Sequence, residues 1–178
     1  MNHFLIVEDD PTTIKILGHL LKKVVADRFV VCSSFSETVK TLSDPAYQFI
    51  GALVDIELPD APRGEAVDLI LESDLPCVVL TANKEHSLRE EMLGKGAADF
   101  ITKDGRHWFY YAVEVLKRFE DNRRVTALVA CGSDPVSERL CHMLHAFRFP
   151  ILDARTAKET LKILKTRPDV QLLLVDME

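Results

Sequence analysis

Residues 4–11 read FLIVEDDP, a short apolar run followed by three acids and a proline. Four successive apolar residues bounded by polar ones are typical of a buried strand. Asp10 and Pro11 suit the N-cap and the first turn of a helix, and Leu17 and Leu21 follow at helical spacing. The stretch therefore predicts a strand that ends in carboxylates and leads directly into a helix.

The same alternation of apolar run and helix pattern recurs along the chain. Further apolar runs predict strands at residues 29–32, 50–54, 77–80 and 99–102. Helix-compatible segments lie between these runs, and the last helix is predicted over about residues 106–123. Five apolar strands joined by helices predict an α/β fold, a doubly wound five-stranded parallel sheet with helices on both faces.

Polar residues stand where the predicted strands end. Glu8 and Asp9 follow the first strand, Asp55 the third, Thr81 the fourth and Lys103 the fifth. The carboxyl ends of parallel strands meet at one edge of the sheet, where such folds place their chemistry. Carboxylates about 4 Å apart repel by roughly 4 kcal/mol at an effective dielectric of 20. The cluster therefore needs a cation, and Mg²⁺ prefers such oxygen ligands.

These residue types together are suited to phosphoryl transfer. Asp55 can act as a nucleophile and become an acyl phosphate. Mg²⁺ and Lys103 would neutralise the transferring oxygens, and Thr81 offers a hydroxyl nearby. Most of the catalysis in such a site is positioning and electrostatic stabilisation.

The order and spacing of these residues resemble the receiver domains of two-component response regulators, over about residues 3–121. The resemblance implies the flavodoxin-like receiver fold, with Asp55 as the phosphoacceptor and Lys103 as the family's lysine. It also implies a conformational switch made of Thr81 and of Phe100, which lies three residues before the lysine.

The resemblance further implies a set of metal ligands. Asp9 and Asp55 would ligate Mg²⁺ directly, and Glu8 would act through water. The backbone carbonyl of Glu57 would complete the ligands that the protein supplies.

The chain departs from the family pattern at two places. The loop over residues 58–64 keeps Pro59 and Gly64 but is one residue longer than is usual in the family. Asp104 follows Lys103 at a position where proline is common. We therefore expect the turn after the lysine to have its own shape, while the lysine keeps its role.

The resemblance implies a signalling module rather than an enzyme. A sensor histidine kinase or a phosphotransfer protein would phosphorylate Asp55, and the surface of the fourth helix, fifth strand and fifth helix would then change. The net charge of −6 disfavours direct nucleic-acid binding, which needs clustered Lys and Arg. No apolar run approaches the ~20 residues of a membrane span. The start lacks a secretory signal, and the cysteines form no CxxC pair, so we expect reduced thiols and a cytoplasmic location.

Two other functions use a similar sheet. An aspartyl-phosphate hydrolase of the haloacid dehalogenase type needs an Asp-x-Asp pair and a cap domain. This chain has Asp55-Ile56-Glu57 and no room for a cap. A nucleotide-binding flavodoxin-like protein needs a Gly-rich phosphate loop after the first strand, which is not present there. Turnover of a small phosphomonoester would favour the hydrolase, and bound nucleotide would favour the flavodoxin-like protein.

The pattern then begins again. Another apolar run precedes Asp134-Pro135, and residues 174–176 repeat the Leu-Val-Asp of residues 53–55. This internal duplication predicts two domains. Residues 1–122 form a phosphoacceptor receiver domain, and residues 123–178 form a partial receiver-like domain with the first three strands and two helices.

The second copy lacks residues that phosphorylation needs. Gly132 and Ser133 take the places of Glu8 and Asp9, so Asp176, at the repeat of the phosphoacceptor, is not expected to accept phosphate. Its open apolar third strand predicts either a fragment of a longer protein or a homodimer in which another copy covers the edge. The role of the second copy would then be dimerisation or relaying the state of the first.

Two receivers in tandem also resemble the front end of some bacterial diguanylate cyclases. The N-terminal regulatory part of such a cyclase, or of another effector enzyme, is therefore the alternative function.

Overall fold

The computed structural model describes residues 2–26 and 28–176. Within them, strands and helices alternate through the first 122 residues: β1 (Asn2–Val7), α1 (Pro11–Val25), β2 (Phe29–Cys32), α2 (Phe35–Leu42), β3 (Gln48–Asp55), α3 (Glu65–Glu72), β4 (Cys77–Thr81), α4 (His86–Gly94), β5 (Asp99–Thr102) and α5 (His107–Asn122). The alternation then resumes with β6 (Thr126–Ala130), α6 (Asp134–Ala146), β7 (Ile151–Ala154), α7 (Ala157–Thr166) and β8 (Val170–Val175).

The first five strands form one parallel sheet in the order β2-β1-β3-β4-β5. Val7 of β1 lies opposite Cys32 of β2 on one side and opposite Val54 of β3 on the other. The winding direction of the chain reverses between β1 and β3, so the predicted doubly wound α/β fold is confirmed. In such sheets the crevice at this reversal is where ligands bind.

Burial explains why β3 and β4 lie inside the sheet. β4 is buried along its whole length, and β3 is buried from Ile50 onward, as expected for strands covered by helices on both faces. On the edge strand β2, by contrast, Cys32 alone is buried. A fully buried side chain such as Leu53 contributes about 2 kcal/mol, so the central strands carry most of the sheet's stability.

Side-chain caps fix where α1 and α2 begin. Asp10 accepts hydrogen bonds from two backbone N–H groups in the first turn of α1. Ser34 accepts one from the N–H of Glu37 at the start of α2. The Asp10 cap was predicted, and each cap satisfies donors that the helix itself cannot pair. The cap at Asp10 ends the link from β1 and so fixes Glu8 and Asp9 between the strand and the helix.

β3 is longer than predicted. It begins at Gln48, two residues before the expected start at Ile50, and it includes Asp55. Asp55 pairs with Leu80 of β4 in the ladder. The carboxylate therefore extends from an ordered strand rather than from a loop.

The chain divides into two compact units, Met1–Lys117 and Arg118–Glu178, called here the first and second units. The division falls inside α5, whereas the predicted boundary lies at the end of that helix. The second unit has a parallel sheet in the order β7-β6-β8. Ala127, Val129, Cys131 and Leu144 form a cluster of buried apolar residues in this unit. Among the described helices of both units, none combines the length and the hydropathy that a bilayer span requires.

Candidate functional site

The carboxyl edge of the first unit's sheet brings three acidic side chains together. Glu8 and Asp9 follow β1, and Asp55 ends β3, the strand beside β1. Each side chain offers one carboxylate oxygen, and these oxygens lie within 4.8 Å of one another. Glu8 is fully buried and Asp55 is 6% exposed. Their mutual repulsion is therefore screened much less than it would be on the surface.

Lys103 supplies positive charge to this cluster. Its Nζ lies 2.8 Å from Glu8 Oε2 and forms a close ion pair with Asp55 Oδ2. Its backbone N–H donates to the carbonyl of Thr81 at 2.7 Å, which continues the pairing of β4 with β5. Burial alone lowers the pKa of Lys103, but the hydrogen bonds and charges of Asp55 and Glu8 outweigh this effect and raise it. The side chain is therefore an ammonium at neutral pH.

Glu8 is the most deeply buried acid of the cluster. Burial raises the pKa of Glu8 to about 7, Lys103 opposes this effect, and the charge of Asp55 adds to it. Oε1 accepts a hydrogen bond from the N–H of Asp10 at 3.3 Å. Oε2 lies 2.8 Å from Lys103 Nζ, an ammonium that Glu8 shares with Asp55. Two buried carboxylates that share one ammonium fit a site that also holds a cation.

The donor set of the cluster fits Mg²⁺. Carboxylate oxygens are the ligands that this hard cation takes from proteins. Among the described residues, Glu8, Asp9 and Asp55 are the one group of three or more acidic, histidine or cysteine side chains close enough to hold a metal. The N–H of Glu57 donates to Asp55 Oδ1 at 3.3 Å, so the backbone at the fourth predicted ligand adjoins the cluster.

The two predicted switch residues lie on neighbouring strands. Thr81 is fully buried at the end of β4, and its hydroxyl accepts a hydrogen bond from the N–H of Asn83 at 3.0 Å. Phe100 in β5 is 5% exposed. Arg89 of α4 donates to the carbonyl of Phe100 at 2.7 Å, and its guanidinium lies 6.0 Å from the centre of the ring. The ring already lies inside in this conformation, and its switching role stays a prediction.

Contacts beside the site involve residues that sequence reasoning missed. Lys84, in the loop after β4, pairs with Asp104 at 2.6 Å. The N–H of Asp104 also donates to the carbonyl of Thr102 at 2.8 Å, a bond that proline at this position could not make. Asp60, in the loop after β3, accepts hydrogen bonds from the start of α2. Two features of the sequence pointed to these regions, the missing family proline at Asp104 and the long loop that contains Asp60. Neither feature indicates which residue the side chain would contact.

The same edge of the second unit carries different side chains. The N–H of Cys131 donates to the carbonyl of Ala154, as the N–H of Glu8 donates to that of Cys32. Cys131 therefore occupies the position of Glu8, and Gly132 occupies the position of the next acid. The sequence alignment of the two copies, which put Gly132 and the following serine there, was wrong by one residue.

The error has its origin at the start of α6. Asp10 precedes α1 as its N-cap, whereas Asp134 and Pro135 both lie in the first turn of α6, after Ser133 at the N-cap. The two Asp-Pro pairs are similar in sequence but stand one position apart relative to their helices. Aligning the helix starts gives the correct register.

In the second unit, Asp176 contacts a different kind of hydrogen-bond donor. The Cys131 thiol donates to Asp176 Oδ2 at 3.2 Å. Burial raises the pKa of this thiol, and Asp176 adds to the effect, so the thiol is neutral. Arg155 pairs with Asp134 and Asp153, each at 2.9 Å. The acid at the repeat of Asp55 therefore contacts a neutral donor, and the guanidinium after β7 pairs with two other acids.

Comparison with known proteins points to one family. The response regulator receiver domain matches residues 4–107. The two-component response regulator ORR24 of Oryza sativa subsp. indica is 32% identical over 103 residues, which are 57% of this chain and 16% of that protein. The signal transduction histidine-protein kinase BarA of Escherichia coli (strain K12) is 29% identical over 101 residues, which are 54% of this chain and 11% of that protein. The chain thus spans a small part of either relative's length.

Solved structures extend the likeness to the second unit. A structure described as a two-component system response regulator/GGDEF domain protein matches 100% of this chain and 71% of that one, with a TM-score of 0.89 and 32% identity. The non-phosphorylated HemR receiver domain from Leptospira biflexa matches 66% of this chain and 94% of that one, with a TM-score of 0.52 and 28% identity. A family match over more than half of the chain, with the acidic cluster at its strand ends, shows that the chain belongs to the response regulator receiver domain family.

Proposed function

We propose that the first unit accepts a phosphoryl group on Asp55 and so carries a signal in a two-component system. The observation that supports this best is the position of Lys103, which bridges Glu8 and Asp55 with Asp9 close by. An attacking carboxylate, a fixed ammonium and oxygen ligands for a cation are the parts that phosphoryl transfer requires.

In the proposed transfer, a carboxylate oxygen of Asp55 attacks the phosphorus of a phosphohistidine on a sensor kinase or phosphotransfer protein. The P–O bond forms as the P–N bond breaks, and the leaving imidazole takes a proton from solvent. Lys103 places positive charge where the transferring oxygens gather negative charge. Asp9, Asp55 and the backbone carbonyl of Glu57 would hold Mg²⁺, with Glu8 acting through water. The bound ion would supply further charge neutralisation.

Thr81 and Phe100 are proposed to report the phosphorylation. A phosphoryl oxygen on Asp55 would draw the Thr81 hydroxyl toward it as a donor, and the N–H of Asn83 would lose its acceptor. The loop after β4 would then rearrange. The contacts of Arg89 with Phe100 would couple this change to the surface formed by α4, β5 and α5.

Acetyl phosphate tests the proposed phosphoacceptor. After incubation with acetyl phosphate and Mg²⁺, the intact mass should show one added phosphoryl group. Asp55→Asn should take up none. Asp68→Asn is the matched control, since this exposed acid pairs with Lys95 at 2.9 Å and should leave uptake unchanged. Uptake by Asp55→Asn equal to that of the wild type would show that another residue accepts the phosphate.

A second candidate function concerns what the signal controls. The match to a response regulator/GGDEF domain protein extends over both units, which favours the regulatory part of a diguanylate cyclase over other effectors. Phosphorylation of this chain, itself a signalling module, would then change the activity of a cyclase domain joined to it. Reading the gene beyond codon 178 and assaying the encoded protein with GTP tests this function. A reading frame without a cyclase domain would contradict it.

The second unit is proposed to act in dimerisation. On the strand β8, Leu173 is 42% exposed and Val175 is 57% exposed, and such apolar strands commonly pair with another chain. A monomer in light scattering at high concentration would contradict this role.

We place the protein in the cytoplasm, because the buried Cys32 and Cys77 are free thiols and reducing compartments keep them so. Cell fractionation tests the location.

A further inference from the structure

The loop between β3 and α3 contains a tight turn near its middle. Leu58 and Ala61 exchange two backbone hydrogen bonds, at 3.1 and 3.3 Å. Both side chains are buried, at 1% and 2% exposure, while Pro59 and Asp60 between them are exposed. Proline before aspartate at the centre of a turn is favoured because proline fixes its own φ. The turn therefore presents Asp60 at the tip of the loop.

Asp60 reaches across the fold to the first turn of α2. Its Oδ1 accepts a hydrogen bond from the N–H of Phe35 at 2.9 Å. Its Oδ2 accepts two more, from the N–H and the hydroxyl of Ser36, each at 3.0 Å. The amides at a helix start have no partner within the helix, and the helix dipole favours a carboxylate there. Three hydrogen bonds thus join the loop tip to a helix 24 to 25 residues earlier in the chain.

Helix α2 has its own capping residues as well. Ser34 accepts from the N–H of Glu37, and Glu37 accepts in return from the N–H of Ser33 at 2.7 Å. This pair resembles a capping box, except that the return bond comes from the residue before the N-cap. The added contact from Asp60 therefore matters chiefly for the loop, whose tip has no other hydrogen bond to α2 among the described residues.

The loop also carries the backbone that the metal site would use. Glu57 lies between the acceptor Asp55 and the turn at Leu58, and its N–H already donates to Asp55 Oδ1. At its far end the loop is closed by the N–H of Gly64, which donates to the carbonyl of Ile56 at 3.2 Å. The loop is thus held at both ends, and Asp60 holds its middle.

We propose that Asp60 is a positioning residue for the metal site, anchoring the loop on α2 so that the carbonyl of Glu57 stays in place for Mg²⁺. The inference rests on the proposed function of Asp55. Groups that orient ligands from outside commonly change metal affinity by about 10- to 100-fold. Here the effect should lie at the lower end, because Leu58 and Gly64 also hold the loop.

Magnesium titration of the unphosphorylated protein tests the proposal, with the amide signals of Asp9 and Glu57 followed by NMR. Asp60→Ala should weaken Mg²⁺ binding by about tenfold, and the amides of Phe35 and Ser36 should exchange with solvent faster. Asp60→Asn keeps one acceptor oxygen and should recover part of the affinity. Ser34→Ala is the matched control, since it weakens the same helix start without releasing the loop and should leave Mg²⁺ affinity unchanged.

The outcomes separate the two proposals. Unchanged affinity in Asp60→Ala, or an equal loss in Ser34→Ala, would overturn the role of Asp60 while leaving Asp55 untouched. If Asp60→Ala does not fold, Asp60→Asn decides, because its single acceptor oxygen cannot hold both Phe35 and Ser36 as the carboxylate does. Faster amide exchange at either residue with wild-type Mg²⁺ affinity would overturn the role. A wild-type protein that shows no Mg²⁺-dependent change at Asp9 would overturn the metal site itself, and the role of Asp60 with it.

Discussion

The two units repeat one strand and helix order but differ in the charges at the carboxyl edge of the sheet. In the first unit, the side chain of Lys103 is 16% exposed and lies between Glu8 and Asp55. In the second unit, the side chain of Arg155 is 38% exposed and pairs with acids outside the repeat of that cluster. The same scaffold therefore holds a buried ionic site in one unit and a surface ion pair in the other. A few strand-end residues decide which chemistry the fold supports.

The difference also indicates which unit could hold a metal. Three carboxylates face one ammonium in the first unit, so two negative charges remain in excess when all three acids are ionised. A divalent cation would neutralise this excess. In the second unit, Cys131 replaces a carboxylate with a neutral donor to Asp176, and the repulsion that would attract a cation is absent.

The largest expected contrast between the units is in phosphate uptake. Asp176→Asn should leave the stoichiometry with acetyl phosphate at the wild-type value, because this aspartate has a thiol and a glycine where Asp55 has two acids. Peptide mass spectrometry of the phosphorylated wild type locates the group. Phosphate found on Asp176 would remove the distinction between the two units.

The next contrast is the loss of stability when the cationic side chain of each unit is removed. Lys103→Met leaves two buried carboxylates without their ammonium and should lower the free energy of unfolding of the first unit by about 3 kcal/mol. Urea unfolding followed through Trp108, the single tryptophan of the chain, measures it. Arg155→Met removes an exposed ion pair and should lower the free energy of unfolding of the second unit by less than about 1 kcal/mol. Hydrogen exchange of the β6 amides measures this loss. Equal losses of unfolding free energy would mean that burial does not make the Lys103 ion pairs stronger than those of Arg155.

Magnesium should stabilise the first unit alone. At ten times its Kd, the ion should stabilise the folded state by about 1.4 kcal/mol through mass action. The unfolding transition seen by Trp108 should shift accordingly, and Asp9→Asn should abolish the shift. Exchange of the β6 amides should not respond to Mg²⁺. A shift that survives in Asp9→Asn would move the metal away from this cluster.

The parts of this comparison that could be predicted from sequence are those that depend on local pattern. Apolar runs and helical spacing predicted the strands, and the rule that parallel strands end at one edge predicted which polar residues would meet there. Glu8, Asp55 and Lys103 lie far apart in sequence, yet each follows a strand, so their proximity needed no knowledge of any loop. The caps at Asp10 and Ser34 were predictable for the same reason, since each depends on its own helix start.

Contacts that depend on the path of a loop could not be predicted. The three hydrogen bonds of Asp60 to α2 and the pairing of Lys84 with Asp104 join separate loops, and no periodicity encodes them. The register of the second copy failed for a related reason. Its Asp134-Pro135 pair is one residue deeper in the helix than its counterpart, and sequence letters do not give the helix start. Backbone hydrogen bonds at Cys131 were needed to align the copies.

The smallest expected effect concerns pH and an exposed ion pair of the second unit. Arg167 donates to the two carboxylate oxygens of Asp169 at 2.8 and 2.7 Å, and the hydroxyl of Thr126 donates at 3.2 Å. The hydrogen bonds from Arg167 hold the pKa of Asp169 down at about 2. Because the folded pKa lies below the unfolded value of about 3.9, the pair stabilises the second unit above pH 4. This contribution is lost as the pH falls from about 4 through 2.

Titration of the Asp169 carboxyl by ¹³C NMR measures this directly. The midpoint should lie near pH 2 in the wild type, and Arg167→Gln should raise it toward about 3.9. Lys165→Gln, near the end of the same helix α7, should leave the midpoint unchanged, because its ammonium does not contact this carboxylate. The side chains of the pair are 46% and 49% exposed, so the accompanying change in stability should be slight compared with that of Lys103→Met. A midpoint that stays low in Arg167→Gln would assign the shift to Thr126 and the backbone, and the contrast between an ion pair on the surface and one in the site would then need another measure.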